Sequence, residues 1–247
     1  MNDFYTEGTL IDSELNIKAL SSREAMREAY ENGEILEARA VLCDRDHNLH
    51  VRLGNGMRGI IPREECAMGI AYGSVRDIAI ISRVNKPVCF SISGFYTENG
   101  REYARLSRKA VQERCISEYI NTLRPGDIIT ARAIHFESFG AFCDIGCGIC
   151  ALLPIDNISI SRIPHPSARL AVNGELRAAV ASCENGRITL SLKELLGTWE
   201  ENASDFCPGE TVPGTIRSVE SYGIFVELTP NLAGLAEYAP DVSAGQA

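Results

Sequence analysis

Several things are scarce in this chain of 247 residues, and each scarcity removes a class of explanation. There are four histidines, His47, His50, His135 and His165, and none stands in a Ser, Cys or carboxylate pattern suggestive of a triad. A phosphate-cradling Gly-x4-Gly-Lys-Ser/Thr loop is missing. No apolar run approaches the ~20 residues that cross a bilayer as a helix. The start, with Asp3 and Glu7, has neither the basic opening nor the apolar stretch of a secretory signal. The expectation is a cytoplasmic, non-catalytic protein with no cofactor.

Positive charge is scarce too, with 24 Lys and Arg against 33 Asp and Glu for a net −9. A tight, indiscriminate phosphate binder is therefore not expected, because counterion release needs clustered cations. The deficit is uneven. Residues 1–32 sum to −4, 33–125 to +3, 126–193 to zero and 194–247 to −8. A surface that follows a phosphate backbone belongs on the middle two stretches, and the last repels one.

Nine cysteines are present, odd in number and mostly inside apolar runs, as small hydrophobes are. Cys143, Cys147 and Cys150 cluster, but a zinc knuckle needs a second pair or a His-x-His that does not follow. Packing across a hairpin is the simpler account, and no metal site is assigned.

What the chain does have is repetition. Gly33-Glu34-Ile35, Gly126-Asp127-Ile128 and Gly209-Glu210-Thr211 open three similar stretches, 93 and then 83 residues apart. Two stretches close alike, Asn99-Gly100-Arg101 leading to Leu106-Ser107-Arg108-Lys109, and Asn185-Gly186-Arg187 leading to Leu190-Ser191-Leu192-Lys193. Domain-sized spacing of matching signals indicates duplicated modules. In the middle copy, strands are predicted over 128–136, 139–145, 149–153, 176–182 and 187–192, with an irregular crossover at 154–166 that Pro164 and Pro166 keep from forming a long helix. Five short strands in about 70 residues suit a closed oligonucleotide-binding (OB) barrel.

The predicted fold is mainly β: tandem five-stranded OB barrels joined by short helices. The expected divisions are a helical segment at 1–32 opened by the capping signal Ser21-Ser22-Arg23-Glu24, a degenerate barrel at 33–109, a helical linker at 110–124, a barrel at 125–193, a second helical linker at 194–207 and a third barrel at 208–247. Leu195, Leu196 and Trp199 of the second linker are expected to pack one barrel on the next. The 59-residue offset from Gly126 to Asn185 would put the third copy's closing hairpin at 268, so that copy is expected to be truncated.

Gly126-Asp127, Phe139-Gly140-Ala141-Phe142, Leu152-Leu153-Pro154-Ile155 and Asn185–Lys193 together resemble the S1 RNA-binding domain family over essentially all of 125–193. Tyr222-Gly223-Ile224-Phe225 repeats the aromatic pair in the third copy, while the first copy matches only at its ends. The resemblance implies binding of single-stranded RNA such as mRNA, association with the 30S ribosomal subunit, and an RNA face at Phe139, Phe142, Arg187, Arg132, Lys193, Tyr222 and Phe225. Bases would stack on the rings while cations follow the backbone, and Gly140 would let a base approach closely. Two aromatics three apart cannot share a face of a regular strand, so one is buried unless the backbone departs from regularity near Gly140. The family's histidine before the third-strand Ile-Ser motif is absent, with Pro154, Pro62 and Ala236 in its place, which implies weaker RNA binding. A protein-docking scaffold on an RNA machine is the competing reading.

Overall fold

The computed structural model describes residues 4–98, 100–184 and 186–246. Asn99 and Asn185, which begin the two Asn-Gly signals, lie outside them. The chain forms two compact units: residues to Leu123 together with Asp144–Cys150, and Arg124–Cys143 together with Ala151 onward.

The first unit holds β1 (Leu36–Cys43), β2 (Leu49–Arg52), β3 (Arg58–Ile61), β4 (Pro87–Glu98) and β5 (Arg101–Ser107), closed as β1-β2-β3-β5-β4. Alternation decides what faces inward. Ala38, Ala40, Leu49, Val51, Ile61, Val88, Phe90, Ile92, Ala104 and Leu106 fill the barrel. β3 and β5 pair in parallel, which closes the cylinder. The first module, expected to match the family motifs only at its ends, is a closed five-stranded barrel.

Two helices precede it, α1 (Glu14–Ala19) and α2 (Arg23–Glu31). The Ser22 hydroxyl accepts from the Ala25 N–H, so the cap lies one residue after the predicted Ser21. Met26 and Ala29 of α2 pack on the barrel core. A single turn, α3 (Ile78–Ile81), sits in the crossover, and α4 (Arg108–Glu118) follows β5 with Val111 and Cys115 buried.

Buried charge fastens the N-terminal segment within this unit. Arg108 Nε lies 2.6 Å from Glu7 Oε1 and Arg108 Nη2 lies 3.0 Å from Glu7 Oε2, with Arg83 Nη1 also 3.0 Å from Oε2. Glu37 accepts from the N–H groups of Gly8, Leu10 and Ile11. Asp144 accepts from those of Glu7, Gly146 and Gly148. Cys147 donates its N–H to the Tyr5 carbonyl at 2.8 Å. Burial would raise the Glu7 carboxyl, but Arg108 and Arg83 outweigh it and hold it below the ordinary range. Burial, helped by the charge of Glu7, lifts Glu37 to about 7 and Asp144 to about 6.

The second unit repeats the topology with β6 (Ile128–Glu137), β7 (Gly140–Asp144), β8 (Cys150–Pro154), β9 (Glu175–Glu184) and β10 (Arg187–Ser191), closed as β10-β8-β7-β6-β9. Strand β8 pairs in parallel with β10, as β3 does with β5. On β6 the inward residues are Ile129, Ala131 and Ala133, so Ile128, Thr130, Arg132 and Ile134 lie on the outer face. Then come β11 (Thr215–Glu220), β12 (Gly223–Thr229) and β13 (Leu232–Ala236), an antiparallel three-stranded sheet. Glu227 lies 2.8 Å from Arg169 Nη2 and 2.5 Å from Arg217 Nη2.

The expected second helical linker is reduced to one 3-10 turn at Lys193–Leu195 and the short α5 (Trp199–Ala203). Its packing role is corrected: Trp199 is 53% exposed and Leu195 41%. A capping box between Thr198 and Glu201 fixes Trp199 at the first helical position.

Candidate nucleic-acid interface

Phe139 does not belong to β7. It occupies the turn before it, where its carbonyl accepts from the Ile155 N–H at 2.9 Å, while the strand begins at Gly140. Alternation therefore does not govern Phe139. The glycine makes this turn possible, with φ at +157° and a Cβ that would lie 2.5 Å from the Leu153 carbonyl oxygen. At this position two backbones approach closely. Phe139 is 54% exposed, and Phe142 is half-buried on the outer face between the inward Ala141 and Cys143. Their ring centroids are 6.1 Å apart at 89°, an edge-to-face pair.

A third ring that the sequence reasoning passed over extends the row. His135, exposed near the end of β6, stacks on Phe142 with centroids 6.3 Å apart and planes 18° apart. Its Nε2 lies 2.7 Å from Glu137 Oε1, which orients the imidazole. The signal was present: His135 lies four residues before Phe139, on the strand the turn joins to β7.

The cations divide. Lys193 is exposed and lines a groove of about 540 Å³ with Ser138, Asp156 and Arg162, beginning beside Phe139. Arg162 was not foreseen, since the crossover that carries it has no strand periodicity. Among the described residues neither Lys193 nor Arg162 has a carboxylate within ion-pair distance. Arg132 is committed elsewhere: Nη1 donates to the Asn173 carbonyl at 3.0 Å and Nη2 lies 3.6 Å from Glu175. Arg187 is exposed at the start of β10, but β8 lies between β10 and β7, so it is not on a strand adjoining the rings.

Tyr222 and Phe225 reproduce the pair, 6.2 Å apart at 87°, with Tyr222 68% exposed. Gly223 repeats the φ of Gly140 at +157°. The position matching His135 is Ser218, so the row there stops at two rings. Cys143 and Cys147 are buried, as packing would have them, whereas Cys150 is exposed. Among the described residues there is no group of three or more His, Cys, Asp and Glu placed to hold a metal ion.

The S1 RNA binding domain family model matches residues 122–193. Small ribosomal subunit protein bS1 of Leuconostoc lactis is 30% identical over 229 residues, covering 90% of this chain and 51% of that protein. The bS1 protein of Staphylococcus epidermidis is 28% identical over 235 residues, covering 92% and 57%. The chain thus spans about half the length of the curated relatives it matches. A solved a/eIF2alpha-aDim2p-rRNA complex from Pyrococcus horikoshii aligns at 20% identity and a TM-score of 0.28, over 34% of this chain and 51% of that one. Residues 122–193 thus match the S1 RNA-binding domain family, and the chain as a whole is similar to bS1 over about half of that protein's length.

Proposed function

We propose that this chain binds single-stranded RNA without catalysis, in the cytoplasm and in association with the small ribosomal subunit during translation. The proposal takes it as an N-terminal helical segment, barrels at 33–109 and 125–193, and a partial third copy at 208–247. The observation that carries it is the outward row His135, Phe142 and Phe139, ending at a groove that presents Lys193 and Arg162. Unpaired bases stack on such rings for ~1–3 kcal/mol each, largely regardless of sequence, while the cations hold phosphates. A duplex hides its base faces and is disfavoured.

Titration of a fluorescent poly-pyrimidine strand, with a duplex control, at two salt concentrations tests this. Phe139→Ala with Phe142→Ala is expected to weaken binding by roughly ten-fold or more, from the stacking energy lost. Affinity unchanged by the double substitution ends the proposal for this barrel. The docking-scaffold reading draws on the acidic last segment, where Trp199, Leu235 and Tyr238 are exposed beside few cations. Ribosome association that survives nuclease treatment, with no binding to free oligonucleotide, favours it.

A further inference from the structure

The first barrel lacks aromatics on its second strand, yet its outer surface carries rings and cations in register. Strand pairing sets Arg52 opposite Arg58 and Arg58 opposite Tyr103, and Tyr103 opposite Tyr96. These four positions form one row across β2, β3, β5 and β4, spanning about 14 Å at the usual inter-strand spacing of ~4.8 Å. The inward neighbours Val51, Gly59 and Ala104 are buried, so the row lies outside. The two tyrosine rings stack 5.4 Å apart with planes 16° apart.

On either side of the tyrosine stack lies a groove. One, of about 500 Å³, is lined by Tyr103 with Arg23, Arg58 and Arg101. The other, of about 680 Å³, is lined by Tyr96 with Arg105, His50 and Ile60, and by the carboxylates Asp44 and Glu98. Among the described residues no carboxylate lies within 4.0 Å of Arg52, Arg58 or Arg101, whereas Arg23 is paired with Glu102 and Arg105 stands 3.7 Å from Glu64.

The Arg52–Arg58 pair is the informative one. Like charges directly opposite on a sheet destabilise it, and among the described residues no carboxylate pairs with either arginine. An anion over the row would offset their repulsion. Flat stacked rings beside unpaired guanidiniums suit a strand that offers base faces and phosphates together, which a phosphopeptide or a closed duplex does not.

We propose that the outer face of the first barrel, along Arg52, Arg58, Tyr103 and Tyr96, is a second binding site for single-stranded RNA, with phosphates on the arginines and bases on the tyrosines. The site rests on the reading of the chain as an RNA binder, but not on the rings of the second barrel. The whole chain carrying Phe139→Ala and Phe142→Ala is the background for its test. A 4-thiouridine 12-mer is titrated and photo-cross-linked, and the modified peptides are identified. Residual binding with cross-links in 87–107 is expected, falling at least ten-fold on adding Arg52→Glu and Arg58→Glu. Arg58→Gln alone is expected to raise the urea midpoint of the RNA-free protein while weakening RNA binding, a combination that misfolding does not give. Complete loss of binding in the Phe139/Phe142 background, cross-links confined to 135–193, or equal competition by duplex overturns the proposal and leaves the second-barrel site standing. Full binding in that background, lost on the arginine exchanges, has the opposite meaning: the second barrel is not the reader and the first is.

Discussion

Substituting Glu7 should cripple the first unit far more than its place near the chain start suggests. Its carboxylate is buried, receives a two-point contact from Arg108 and a further one from Arg83, and accepts the Cys89 N–H at 3.2 Å. In Glu7→Gln, Arg108 keeps the Cys66 carbonyl at 3.2 Å and one amide oxygen as acceptors, but it loses the opposite charge of Glu7 while its own stays sealed from water. An uncompensated buried charge costs ~3–5 kcal/mol, whereas replacing both partners with apolar groups of similar size is often close to neutral. At a urea slope of ~2 kcal/mol per M the single exchange lowers the midpoint by about 2 M. The assay is a double-mutant cycle followed by far-UV circular dichroism: Glu7→Gln, Arg108→Met, and the two together. Each single variant should lose most of that amount and the double should recover a large part of it. Midpoints of both single variants close to the parent, or losses that simply add, would refute the reasoning.

Glu37 and Asp144 hold protons more tightly folded than unfolded, so their contribution is complete below the ordinary carboxylate range and is lost as pH rises through about 6 and 7. The urea midpoint should therefore be higher at pH 5.5 than at pH 8, with Glu37→Gln flattening the slope, and a midpoint that climbs with pH contradicts this. Gly140→Ala places a methyl against the Leu153 carbonyl and should cost ~1–3 kcal/mol of stability by thermal melting, while Gly94→Ala, with open space and an ordinary φ, should cost nothing measurable. Glu227→Gln frees Arg169 and Arg217 and should cost ~1 kcal/mol, read as faster proteolysis within 208–246, with unchanged cleavage counting against it. Two phosphate contacts, by Lys193 and Arg162, would give a log affinity against log salt slope of about −1.4, at ~0.7 per phosphate on a single strand; a slope beyond −5 would mean that the cations have been misassigned.

The strands of the middle barrel were legible because alternation, glycine turns and proline breaks are local signals. Cross-strand relations were not. The spacing of Phe139 and Phe142 poses a conflict that only the turn geometry resolves, with Phe139 ahead of the strand and Gly140 forced by the Leu153 carbonyl. Arg132 and Lys193 are both cations in the same module, yet an acidic neighbour on β9 claims one and leaves the other open. His135 was weighed only as a catalytic candidate, and its partner ring lies on the next strand. The first barrel looked poor in rings because Tyr96 and Tyr103 sit on its fourth and fifth strands, not its second. Arg108 looked like part of a closing motif, and its buried engagement with Glu7 spans 101 residues of chain.

That last connection bears on how the molecule can be dissected. An excised fragment opening at Gly33 would keep every strand of the first cylinder, but Glu37 would lose three amide donors and Arg108 its counter-ion. Such a piece carries stranded polar groups inside its own wall and should precipitate or unfold where the longer polypeptide does not. Residues 4–12 are thus a plug for the cylinder's polar seam, and losing them changes the protein more than removing a tail would.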